Sequence, residues 1–205
     1  MFTAIPGYGL INLRGQVITA LDLRHRHPPG PISKWRKAIR SGAEETLRTL
    51  GIVARQGFPA VAINYRNDPG APDNPDGLRH WGATEWRDLE AATRYALEQG
   101  ATGVVLAGYS MGGAVVASFL LSSPLAARVR GVVLDAPALD LGAVIDHGAE
   151  DRTLPVLGTP VPPALTEVAK GIAGLRYDLD WGDLDYLDRA GGLRSPVLLF
   201  HQDGD

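Results

Sequence analysis

The sequence predicts an α/β protein, a mostly parallel sheet with helices on both faces, and three observations carry that prediction. Short apolar runs at about 60–65, 103–108, 129–137 and 197–200 are each long enough for one buried strand. Segments with helical periodicity separate the first three of these runs. The longest uncharged run, Gln99 to Ala127, is broken by Gly103, Gly108, Gly112 and Gly113 into strand, tight turn and helix. Its length would suit a membrane span, but that punctuation argues against one, and no membrane span is expected.

Along the chain, GLINLRGQVITALDLRH at 9–25 reads as a hairpin or two short strands around Gly15. The next stretch, RHRHPPGPISKWRKAIR, is proline-rich and basic and holds no buried strand; it reads as a solvated loop. A helix is expected from Ser41, which caps it, to near Gly57, with Glu44 and Glu45 in its first turn and Leu47, Leu50 and Val53 on one stripe. Strand Ala60–Tyr65 follows, then a polar loop over 67–82. A second helix starts beyond Thr84 and stops at Gly100, burying Trp86, Leu89, Ala92, Tyr95 and Ala96. Strand 103–108, helix 111–122 and strand 129–137 complete a βαβαβ order, whose crossovers imply parallel pairing. From 138 to 194 prolines and glycines break the pattern. A helical piece near 164–175 and the acidic WGDLDYLDRA near 181–190 suggest a cap above the sheet, before a last buried strand at Val197–Phe200. The expectation is one domain over 1–205, with an irregular N-terminal part at 1–40 and the cap at 138–194.

Composition excludes several functions. Hydrophobic residues make up 45% and charged residues 21%, which is ordinary globular usage. The net charge of −3 offers no basic field for nucleic acid. Zero cysteines exclude disulfides and thiolate chemistry and suit a cytoplasmic protein. No phosphate-loop lysine motif or dinucleotide fingerprint opens a helix, so no organic cofactor is expected. The aspartates 178, 180, 183, 185 and 188 lack a calcium-loop pattern and read as caps and a solvated face, so no metal is expected either.

The chemistry is concentrated in LAGYSMGG at 106–113. A strand that turns abruptly into a helix lifts a serine hydroxyl above the sheet, and glycines two before and two after it keep the turn free of clashes. Gly108, Ser110 and Gly112 have that spacing. The helix start places positive partial charge at Ser110, and the Met111 N–H is a donor for a developing oxyanion.

Together, AGYSMGG, VVLDAP and PVLLFHQDGD resemble the α/β-hydrolase superfamily, in particular its bacterial serine esterase, lipase and serine-aminopeptidase-like branches; the resemblance spans about 41–205. It implies acyl transfer from a small-molecule ester or amide, with Ser110 as nucleophile, then an acid, then a histidine in chain order. The family's H-G-x-x-D pattern falls on His201-Gln202-Asp203-Gly204-Asp205, with Gln202 for glycine, so the resemblance implies Asp205 as the acid. Asp203 is its neighbouring decoy, and Asp135 at the end of an earlier strand is the alternative.

Two departures qualify this reading. No histidine follows Asp205, and His25, His27, His80, His147 and His201 all precede it. The place of the family's glycine-rich H-G-x-G loop is taken by PPGPISKWRKAIRSGAEE, which lacks that motif. A serine without a base is a weak nucleophile, and a lost oxyanion donor costs about 10²–10³ in rate. The expectation is therefore a hydrolase that is C-terminally incomplete; the alternative is a catalytically inactive protein of the same fold with at most a binding role.

Overall fold

A computed structural model describes residues 18–21, 44–67, 71–150, 152–154 and 158–201. In chain order the elements are β1 (Ile18–Leu21), α1 (Glu44–Arg55), β2 (Ala60–Ala62), α2 (Trp86–Glu98), β3 (Val104–Tyr109), α3 (Met111–Ser122), β4 (Val129–Asp135), α4 (Leu141–Glu150), α5 (Pro163–Tyr177) and β5 (Val197–Phe200).

The five strands form one sheet in the order β2-β1-β3-β4-β5. β3 pairs parallel with β4, and β4 parallel with β5. β1 is antiparallel to both of its neighbours, with Thr19 opposite Ala62 on one side and Ala107 on the other. The expected parallel order therefore holds for the direction of β2, β3, β4 and β5, but β1 separates β2 from β3. β2 is also shorter than expected: its ladder with β1 ends at Ala62, and Ile63 and Tyr65 are buried beyond its end.

The core follows from the polarity of the helices. α3, MGGAVVASFLLS, is apolar all round, and a helix of that kind is stable only when buried. Met111 through Phe119 are buried, against β3 and α2. Val104, Leu106, Val132 and Leu134 from the sheet, Leu89 from α2 and Ile63 and Tyr65 after β2 complete the main cluster. The charge-free run thus divides as expected, and among the described residues no helix is long and apolar enough to cross a membrane.

Three features differ from, or add to, what the sequence predicts. Ahead of α2 the Thr84 hydroxyl accepts from Asn74 Nδ2 at 3.1 Å, while the buried Glu85 carboxylate accepts from the backbone N–H groups of His80 and Gly82 at 2.8 and 2.9 Å. The segment after β4 contains a helix, α4, where only a broken pattern was expected. Asp140 Oδ1 accepts from Ala143 N at 3.0 Å, the bond of an N-cap, and α4 packs against α5, with Lys170 bridging to Asp146 at 2.8 Å. Finally, β5 is not buried. Its four residues are 45–54% exposed, because β5 is the edge of the described sheet. Ser41 and the basic segment 24–40 lie outside the described residues.

Candidate active site

β3 ends at Tyr109 and α3 begins at Met111, so a single residue, Ser110, makes the turn. Its backbone has φ 48° and ψ −123°, a conformation that costs a non-glycine residue of order 1–3 kcal/mol. Such strain persists only where the surroundings over-determine it, and here they do. Ser110 N donates to Asp135 O at 3.2 Å, and the Ser110 carbonyl accepts from Gly113 N at 2.9 Å and Ala138 N at 3.0 Å. With the backbone tied down on three sides, the side chain is left exposed above the sheet.

Close approach explains Gly108 and Gly113. A Cβ on Gly108 would lie 2.6 Å from Gly112 O, and one on Gly113 would lie 2.4 Å from Pro137 Cβ. β3, the first turn of α3 and the segment after β4 therefore meet at backbone distance around Ser110. Gly112 and the Met111 side chain are buried. The Met111 N–H opens α3 and is one of the donors that a helix N-terminus leaves without an intrahelical acceptor. Tyr109, the residue between Gly108 and Ser110, is tied to α1 through a hydrogen bond between its hydroxyl and Thr49.

Gly108, Ser110, Met111 and Gly112 thus lie together where β3 turns into α3. Asp205 and Asp203 lie outside the described residues, as do His25 and His27. Asp135 is exposed at the end of β4, in register with Tyr109 on one side and Phe200 on the other. His201 follows Phe200, whose carbonyl accepts from Ala136 N at 2.9 Å, so it lies, like Ser110, just past the C-terminal end of one of the parallel strands. The other two described histidines are engaged elsewhere: His80 Nε2 contacts Asp76 Oδ2 at 2.7 Å, and His147 faces Glu150 at 3.6 Å. Among the described residues, none hydrogen-bonds to the Ser110 hydroxyl.

Sequence reasoning missed the loop that leads into α2. Trp81 Nε1 donates to Ala138 O at 3.0 Å, and Tyr186 Oη donates to Trp81 O at 3.0 Å, linking residues 57 and 105 positions apart. The sequence offers only an acid, Glu85, three residues after the pair Trp81-Gly82. The aspartates near 180 cap turns: Asp180 accepts from Gly182 N, and Asp185 from Leu187 N and Asp188 N. Among the described residues, no group of three histidines or carboxylates could hold a metal ion.

No family model and no curated protein matches the chain. Among solved structures, it is similar to the Pyrococcus furiosus esterase Pf2001, with a TM-score of 0.49 and 17% identity over 77% of this chain and 55% of that one. It is also similar to Est816, described as an N-acyl homoserine lactone degrading enzyme, with a TM-score of 0.44 and 19% identity over 72% of this chain and 65% of that one. The chain therefore spans less than two thirds of the length of either neighbour.

Proposed function

We propose that the chain is a serine hydrolase of the α/β-hydrolase type that attacks a small-molecule carboxylic ester through Ser110. The observation that carries this reading is the exposed serine in a strained, fully braced turn between β3 and α3. A nucleophile at a strand-to-helix turn needs that placement, and the strain of Ser110 at φ 48° is what such a turn imposes. In this reading Ser110 Oγ attacks the acyl carbon, the Met111 N–H and the N-terminal end of α3 receive the negative charge on the carbonyl oxygen, and Asp205 is the triad acid. A general base takes the Ser110 proton and returns it to the alcohol that leaves as the acyl-enzyme forms. An amide substrate fits the same turn; segment 138–194, with α4 and α5, would act as the cap over it, and a cytoplasmic location suits the lack of cysteine.

A second reading is favoured by one observation, the absence of a described partner for the Ser110 hydroxyl. In that reading the protein keeps the turn without the chemistry and at most binds a ligand. Turnover of a p-nitrophenyl ester separates the two. Ser110→Ala should lower it by about 10³-fold or more; equal turnover in the variant would remove Ser110 from the reaction.

A further inference from the structure

We infer that Trp81 is a positioning residue, which holds Ser110 in its strained conformation through Ala138; this rests on the reading of Ser110 as nucleophile. The Ser110 carbonyl is anchored by Ala138 N, and the carbonyl of the same Ala138 accepts from Trp81 Nε1, each at 3.0 Å. Ala138 is therefore gripped at both ends, by the turn it braces and by the indole. The segment it belongs to needs that grip. Ala136 has φ 40°, a second strained residue, and Pro137 is pressed against Gly113 of α3. Without an outer tether, this stretch of backbone would relax away from the turn.

Trp81 is itself fixed from several directions. Its own φ is 51°, a third strained position. The buried Glu85 carboxylate accepts from the N–H groups of His80 and Gly82, on either side of it. Gly82 sits so close to α3 that a Cβ would lie 2.8 Å from Ala114 O. Tyr186 Oη donates to Trp81 O, and Tyr186 N donates to Leu139 O at 2.8 Å, which ties the far side of the same segment. A partly buried indole usually finds some acceptor. Here the acceptor belongs to the residue that braces Ser110; Trp81 and Ser110, at the two ends of that chain of bonds, both have positive φ, as does Ala136 two residues before Ala138. Strain concentrated along one chain of hydrogen bonds is the mark of a preorganised site.

The test uses Trp81→Phe, which keeps an apolar ring and removes the donor. With a fluorophosphonate probe, the maximal rate of Ser110 labelling should fall about tenfold, while the half-saturating probe concentration stays within about twofold. Exchange of the Ala138 amide hydrogen should speed up by a similar factor. Tyr186→Phe, which frees the Trp81 carbonyl but leaves the indole, should change both in the same direction by less. If Trp81→Phe does not melt cooperatively, Tyr186→Phe decides in its place. Labelling at the wild-type rate, or unchanged Ala138 exchange, overturns the assignment. If the wild-type chain itself takes no label at Ser110, the nucleophile reading fails; Ala138 exchange then decides the Trp81 assignment alone, faster exchange supporting it and unchanged exchange overturning it.

Discussion

Gly108 shows how tightly the turn is built. Its missing Cβ leaves room for Gly112 O, so Gly108→Ala must push β3 away from α3, and overpacking of this kind costs about 1–3 kcal/mol. Urea unfolding should show that loss, and a variant of wild-type stability would mean that the strand and helix are not in backbone contact. Glu85 is the second residue on which much depends. Removing its carboxylate leaves one buried and one part-buried backbone donor without their acceptors, so Glu85→Ala should cost about 1–3 kcal/mol, with Glu85→Gln less damaging because one acceptor oxygen remains. The strand-to-helix turn at Ser110 was legible in the sequence because the spacing Gly108, Ser110, Gly112 is local. Glu85 and Trp81 were not legible in the same way, since their partners are set by tertiary packing, at a sequence distance of 57 residues for Trp81 and Ala138.

Among the elements, α4 and the loop before α2 teach opposite lessons. α4 carried a readable start, Asp140 before Leu141, but Gly142 and Gly148 each cost about 1 kcal/mol of helix propensity and hid it. Asp140→Ala should destabilise the chain by about 1 kcal/mol, read by thermal melting. The stretch over 67–82 reads as a polar loop, and its described part and flanks are ordered by side chains. Arg66 pairs with Asp88 at 2.9 Å, and Asn74 bonds to the Leu78 carbonyl and to Asn67. Tyr186, which joins this loop to the segment after β4, gives a pH signature. Burial pushes its phenol above the ordinary value of 10.0, against a hydrogen bond with Ser118 and the charge of Arg189. A raised folded value means stability that is complete below the unfolded value and is lost as pH rises through the folded one. The melting temperature should therefore fall with pH above about 10, and Tyr186→Phe should flatten that fall.

At the scale of the molecule, the apolar surface is distributed unevenly. β5 exposes Val197, Leu198, Leu199 and Phe200 at the sheet edge, and α5 exposes Leu165, Val168, Ile172 and Leu175, the last at 91%. An open apolar edge strand is a template for association. Sedimentation of the 205-residue chain should show concentration-dependent self-association that Leu198→Lys reduces without lowering the melting temperature. The direction of four strands was legible from the alternation of apolar runs and helices. The insertion of β1 between β2 and β3 was not, because strand order depends on pairings that no local pattern records, and the exposure of β5 was hidden because an apolar run reads as buried whatever covers it.

All of this bears on whether the braced serine is reactive. The most direct measurement is to treat the purified, folded chain with a fluorophosphonate probe and locate the adduct by mass spectrometry. An adduct on Ser110, absent in Ser110→Ala, is the predicted result. A folded chain that carries no adduct, or carries it on another residue, would contradict the assignment of Ser110 as the nucleophile.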